Sequence, residues 1–233
     1  MGIGFEMNLK QGAAKIALGY VRSGMMIGLG TGSTTRYFID MLGEEIQKGS
    51  LSGIQAVPTS DATAEQARLL GIPLTTLSEN SQLDLAVDGA DEVDPKLNLI
   101  KGLGGALLRE KVVEIHARRF IVVVDESKIV PRLGVHGPLP VEIIPFEAHA
   151  HVAWLNTLEC QAKLLLEEDG SPVGTDNGNY LAYCWFSDGI PDPYMLARTL
   201  ADRPGIVEHG LFLGMADTVV VAEVDGIKIL ERE

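Results

Sequence analysis

"GMMIGLGTGSTTRYFIDMLGEEI", residues 24–46, decides the fold. An apolar run without alternation, Gly24 to Leu29, stops at a turn rich in glycine and hydroxyl side chains. The stretch after the turn puts Tyr37, Phe38, Met41, Leu42 and Ile46 on one side of a helix. A buried strand, a tight turn and an amphipathic helix make the repeating unit of a parallel sheet covered on both faces. The unit recurs. "IQAV" (54–57) precedes the helix-like "SDATAEQARLLG" (60–71), which carries its own cap and ends at Gly71. "LDLAV" (83–87), "GALLREKVVEIHAR" (105–118) and "FIVVV" (120–124) continue the alternation.

The pattern changes after Pro131. "VEIIP" (141–145) reads as a strand and "FEAHAHVAWLNTL" (146–158) as a helix. "QAKLLLEE" (161–168) and "NYLAYCWF" (179–186) are strands around the turn-rich "DGSPVGTDNG" (169–178). "DPYMLARTLAD" (192–202) is a helix and "GIVEHGLFLG" (205–214) a strand. Strand, helix, strand, strand, helix, strand is the ferredoxin-like split order. "DTVVVAEVDGIKIL" (217–230) then gives two strands about a Val-Asp-Gly turn. The expected fold is therefore α/β: a doubly wound, Rossmann-like, mostly parallel sheet with an inserted α+β ferredoxin-like domain. Residues 1–130 and 215–233 form the catalytic domain, and residues 131–214 a lid or oligomerisation domain.

Composition narrows the function. The chain has 233 residues, 46% hydrophobic and 22% charged, enough to bury a sizeable core. A formal charge of -13 argues against nucleic acid, which demands clustered Lys and Arg. It leaves room for a small anion held locally. Cys160 and Cys184 form neither a metal spacing nor a disulfide framework, which points to a reducing cytoplasm. No secretory signal and no stretch of about 18 apolar residues is evident, so no membrane association is expected.

The polar motifs fall where a doubly wound sheet binds ligands, beyond the carboxyl ends of its strands. "GTGST" follows the first strand, "PTSD" the second, "DGADE" the third and "DESK" the fourth. "GTGST" suits an anion through converging amides, the hydroxyls of Thr31, Ser33 and Thr34, and the next helix's N-terminus. It is neither a dinucleotide fingerprint, since Ser33 replaces the last glycine, nor a P-loop, since the lysine is missing. A plain strand-to-helix turn is the alternative. Asp88, Asp91, Glu92 and Asp94 suit a divalent cation, a solvated turn or proton transfer on a hydroxylated substrate, but not the calcium-loop spacing. In "KGLGG", Gly102, Gly104 and Gly105 allow close backbone approach, and Lys101 suits charge developing on oxygen. Leu108, Val112 and Ile115 define the apolar face of the following helix. Glu110 lies off that face and reads as solvated, with nothing in the periodicity to prefer it to Glu114. His149 and His151 lie two apart on a helix and so point to opposite sides, while His116, His136 and His209 are isolated.

"GTGST", "DGADE", "KGLGGALLREK" and "DESK", in that order and spacing, resemble ribose-5-phosphate isomerase of the A type. "LPVEIIP", "TDNGN" and "PGIVEHGLF" extend the resemblance over nearly the whole chain. The resemblance implies a cofactor-free, metal-free interconversion of ribose 5-phosphate and ribulose 5-phosphate through an enediolate. It implies Glu110 as the proton-transferring base, Lys101 beside the enediolate oxygen, and Asp88 and Asp91 at ring opening and hydroxyl binding. Thr31, Gly32, Ser33 and Thr34 match the substrate loop. Gly89, Ala90, Gly102, Leu103 and Gly104 fall in the same substrate-binding stretches. Lys128 matches a further substrate contact, and Lys10 is placed for the phosphate. A homodimer or homotetramer is implied too. Two departures stand out: Leu103 replaces a third consecutive glycine, and "GVHGPLP" carries an insertion around His136 and Gly137. Leu103 either narrows the site or faces away. The competing readings are a non-catalytic sugar-phosphate sensor and a metal-dependent isomerase using hydride transfer. The second wants a cluster of His and carboxylate ligands that the sequence does not offer.

Overall fold

The computed structural model describes residues 2–232, with side chains from residue 9 onward. In chain order the first elements are α1 (Gly2–Leu18), β1 (Met26–Leu29), α2 (Ser33–Gln47), β2 (Gln55–Pro58), α3 (Asp61–Leu69) and β3 (Leu85–Asp88). Next come β4 (Glu92–Val93), β5 (Leu99–Ile100), α4 (Leu107–Glu114) and β6 (Phe120–Asp125). The second half has β7 (Leu139–Ile143), α5 (Ala148–Leu155), β8 (Gln161–Leu164), β9 (Tyr180–Trp185), α6 (Pro193–Ala201) and β10 (Ile206–His209). It closes with β11 (Leu211–Phe212), β12 (Thr218–Glu223) and β13 (Gly226–Glu231). Two compact units result. The first holds residues up to Ala90, Arg109–Lys128 and residues from Met215 on; the second holds Asp91–Leu108 and Ile129–Gly214.

The first unit is built on a six-stranded sheet ordered β13-β12-β6-β3-β1-β2. Its neighbours are parallel except for the β12–β13 hairpin. β3, β6 and β12 are buried almost end to end, as their unalternated apolar sequences require of strands covered on both faces. On one face Ile27, Leu29, Leu85, Val87, Ile121 and Val123 pack against Ala13 and Ala17 of α1 and Phe38 and Leu42 of α2. On the other, Val57 and Leu83 pack with Val113 of α4. Each fully buried side chain of this size contributes about 1.5–3 kcal/mol. At the start of α3 the Ser60 Oγ accepts from the Thr63 amide at 3.1 Å, a cap that stabilises by about 1 kcal/mol.

In the second unit β10, β7, β9 and β8 form an antiparallel sheet in that order. Val141, Ile143, Leu155, Ala182 and Leu200 share its core. Residues 91–108, which the strand–helix alternation assigned to the first domain, pair elsewhere. β4 and β5 join β11 in a small antiparallel sheet of the second unit. "GIVEHGLFLG", expected as one strand, is two, and the chain changes sheets at Gly210. The Gly210 amide donates to Pro140 O at 2.8 Å, while its carbonyl accepts from the Lys101 amide at 2.9 Å. A Cβ there would lie 2.2 Å from Lys101 O, so only glycine fits this crossing. No helix among the described residues is long and apolar enough to cross a membrane.

Candidate active site

The predicted residues fall into two groups, one in each unit. In the first unit the turn from β1 to α2 runs beside the end of β3. A Cβ on Gly30 would sit 2.0 Å from Asp88 Cγ, so glycine alone lets the two strand ends approach this closely. Asp88 is fully buried. Its Oδ1 accepts from the amides of Thr31 at 2.9 Å and Gly89 at 2.6 Å and from Thr35 Oγ1 at 3.3 Å.

Thr31 is engaged within the protein. Its amide serves Asp88, and its Oγ1 lies 2.8 Å from Thr59 Oγ1, 2.8 Å from Ser60 Oγ and 3.1 Å from Thr63 Oγ1. This hydroxyl cluster anchors the loop from beneath. Gly32 and Ser33 are exposed above it, and Thr34 is buried. Gly32 is the N-cap of α2 and supplies no side-chain cap, which suits the first-turn amides to an anion. Lys10 Nζ lies 3.3 Å from Ser33 Oγ and brings positive charge to the same loop. Lys128, half-buried, ends a single 3-10 turn after β6 (Glu126–Lys128). That turn is folded by the Ser127 amide and hydroxyl, both donating to Asp125 Oδ1.

The second unit carries Asp91, Lys101 and the glycine loop. Lys101 is 2% exposed; its Nζ stands 5.4 Å from the centre of the Phe212 ring, a cation–π distance. Gly102 follows at φ 103. Asp91 Oδ2 accepts from the Leu103 amide at 3.0 Å, and the Tyr183 hydroxyl donates to Leu103 O at 2.9 Å. The remaining acids of the run are structural. Glu92 accepts from the amides of Gly134, His136 and Gly137 at 2.5, 2.7 and 3.0 Å. Asp94 Oδ1 closes a turn by accepting from the amides of Lys96 and Asn98. The two departures from the family pattern turn out to be neighbours. Leu103 Cδ1 lies 3.9 Å from where a Cβ on Gly137 would be, so its side chain faces the 134–137 loop that Glu92 holds.

Glu110 corrects the sequence reading. It is 4% exposed and Glu114 3%, whereas Val112 and Ile115, expected to face inward, are 40% and 63% exposed. The buried face of α4 runs through Leu107, Glu110, Val113 and Glu114. Periodicity counts acids as solvent-facing. When two acids occupy the inward face, the apolar residues left over outline the wrong one. Two buried carboxylates on one helix face are candidates for proton transfer.

Other signals resolve simply. His151 is buried, with Nε2 3.2 Å from Phe146 O, and His149 is exposed. Among the described residues no group of three or more His, Cys, Asp or Glu is placed to hold a metal. Thr59, Ser60 and Thr63 were visible in sequence only as the polar "PTSD" loop. Tyr183 gave no signal, being 80 residues from its partner Leu103.

Residues 55–226 match the family model described as ribose 5-phosphate isomerase A (phosphoriboisomerase A). The ribose-5-phosphate isomerase A of Roseiflexus castenholzii is 51% identical over 94% of this chain and 93% of its own. The probable ribose-5-phosphate isomerase 3, chloroplastic, of Arabidopsis thaliana is 45% identical over 97% and 83%. A solved D-ribose-5-phosphate isomerase in complex with phospho-erythronic acid superposes with a TM-score of 0.94 at 45% identity, covering 97% of this chain and 98% of that one. The chain belongs to the ribose 5-phosphate isomerase A family.

Proposed function

We infer that the chain is an aldose–ketose isomerase that interconverts D-ribose 5-phosphate and D-ribulose 5-phosphate. The observation that carries this reading is Lys101, an ammonium almost wholly withdrawn from water at the head of a glycine loop. A lysine held in this position can stabilise the negative charge that enediolate chemistry develops on oxygen. Membership of the isomerase family agrees, and a non-catalytic sensor is not favoured.

In the proposed chemistry Asp88 and Asp91 bind the sugar hydroxyls and assist ring opening. Glu110 removes the C2 proton of the open aldose. The electron pair moves into a C1–C2 double bond, and O1 becomes the enediolate oxygen that Lys101 steadies. Return of the proton to C1, with the O2 proton passing to O1, gives the ketose. Gly32, Ser33 and Thr34, with Lys10 and Lys128, hold the phosphate, and the backbone of Gly89, Ala90, Gly102, Leu103 and Gly104 lines the sugar. A related solved structure holds phospho-erythronic acid, a phosphorylated sugar acid, which agrees with a sugar-phosphate substrate here.

The finer architecture belongs to the same proposal. The order β7-α5-β8-β9-α6-β10, with the sheet arranged β10-β7-β9-β8, supports a ferredoxin-like unit within 131–214, with residues 91–108 joining it rather than the Rossmann-like domain that the sequence pattern drew as 1–130 and 215–233. The insert is assigned to lid or assembly duties in a homodimer or homotetramer. The reaction is placed in the non-oxidative pentose phosphate pathway and in the cytoplasm. The test is direct: purified protein is given ribose 5-phosphate with a chelator present, and ketose formation is followed. Ketose appearing at the uninhibited rate supports the metal-free isomerase, and activity abolished by chelator but restored by a divalent ion favours the hydride-transfer alternative.

A further inference from the structure

We propose that Tyr183 is a positioning residue for the reaction, acting with Asp91 to clamp the glycine loop that follows Lys101. The loop "GLGG" has one residue with a side chain, Leu103, and the protein grips it at both backbone groups. Asp91 Oδ2 takes its N–H at 3.0 Å, and the Tyr183 hydroxyl gives a proton to its C=O at 2.9 Å. Glycine-rich loops lose the most conformational freedom on ordering, so two fixed points at the middle decide how well the loop is defined.

Tyr183 suits this task. It sits on β9, flanked by β7 and β8, in register with Pro140 and Lys163. Its ring meets Trp185 edge-on, with centroids 5.8 Å apart at 72°. Burial, and then the negative charge of Asp91, push the phenol above its ordinary value, so it remains a proton donor through the neutral range. Asp91 thus does more than face a sugar: the same carboxylate ties the loop's amide. Lys101, immediately upstream, is already pinned by its own amide to Gly210 O at 2.9 Å. The clamp extends that order through residue 103. This inference rests on the isomerase reading for the role of Lys101, but not for the clamp itself.

Tyr183→Phe removes one oxygen and keeps the ring. The loss of one hydrogen bond, transmitted to the alignment of a charge-stabilising lysine, should lower kcat by about 3- to 10-fold with KM within about twofold of the wild type. Hydrogen exchange of the 101–106 amides should quicken while the β7 and β9 amides keep their protection. An unchanged kcat with a lower melting temperature would overturn the proposal, because that is the signature of packing alone. Unaltered exchange in 101–106 would overturn it too. Should the variant not fold, the wild-type Tyr183 hydroxyl proton provides the reading: held by Leu103 O it persists long enough to be seen by NMR, and exchange too fast to detect removes the clamp. If the wild type made no ketose while the exchange arm behaved as expected, the isomerase reading would fall and the clamp would stand.

Discussion

Replacing Gly30 by alanine tests the close approach between the turn after β1 and the end of β3. An added Cβ would lie 2.0 Å from Asp88 Cγ and 2.1 Å from Asp88 Oδ1. Real contacts of this kind stay near or above about 3 Å, so the end of β1 or the Asp88 side chain must shift by about an ångström. Overpacking of this kind costs about 1–3 kcal/mol. If Asp88 swings aside instead, the amides of Thr31 and Gly89 and the Thr35 hydroxyl lose their acceptor. Bonds to a charged partner are each worth about 1.5–3 kcal/mol, so losing all three would cost on the order of 4.5–9 kcal/mol. With a urea slope of about 1–3 kcal/mol/M, the unfolding midpoint should fall by roughly 2 M. Turnover should fall with it, since both the β1–α2 turn and Asp88, proposed to contact the substrate, move. Gly104→Ala is the control: its Cβ meets nothing within 4 Å and its backbone has no positive φ, so stability should change by no more than about 0.5 kcal/mol. A Gly30→Ala protein with wild-type midpoint and wild-type kcat would refute the close approach of the β1 turn to Asp88.

Two further substitutions probe separate links. Ser33→Asp places a carboxylate in the exposed loop beside Lys10; KM for the sugar phosphate should rise at least tenfold by like-charge repulsion, and an unchanged KM would remove the loop from the phosphate site. Glu142→Ala strips the acceptor shared by Thr175 Oγ1, Asn177 Nδ2 and Asn179 Nδ2 at 2.9, 3.1 and 2.8 Å; stability should drop by about 3 kcal/mol, seen in a denaturant midpoint, and no shift would mean that the "TDNGN" turn does not depend on this carboxylate.

The alternation of apolar runs and helix-period runs made the parallel sheet legible, because strands buried on both faces cannot alternate. The turn chemistry of "SDAT" likewise placed a capped helix start. What stayed hidden depends on contacts far apart in sequence. The break at Gly210 exists because the Lys101 backbone passes there, and nothing local in "GIVEHGLFLG" says so. β4 and β5 are two residues each, too short for periodicity to register. The acids of "DGADEVD" are indistinguishable as a string. Only their partners separate Asp88, tied to the β1 turn, from Glu92, which holds the 134–137 loop, and Asp94, which caps a turn. Periodicity misplaced Glu110 for a reason of principle: a buried acid breaks the rule that polar side chains face water, and periodicity is built on that rule.

The most direct test of the account is proton exchange at C2 of the substrate in deuterated water, measured on Glu110→Gln. The glutamine keeps size and hydrogen bonding but accepts no proton. A positioned general base supplies about 10²–10⁴-fold in rate, so kcat should fall by that factor with KM little changed, and deuterium should enter the sugar correspondingly slowly. Glu114→Gln, one helical turn away and equally buried, is the comparison. It should retain both turnover and exchange. Wild-type exchange in Glu110→Gln, with exchange lost in Glu114→Gln, would move the base one turn along α4; exchange retained in both would take the base off this helix altogether.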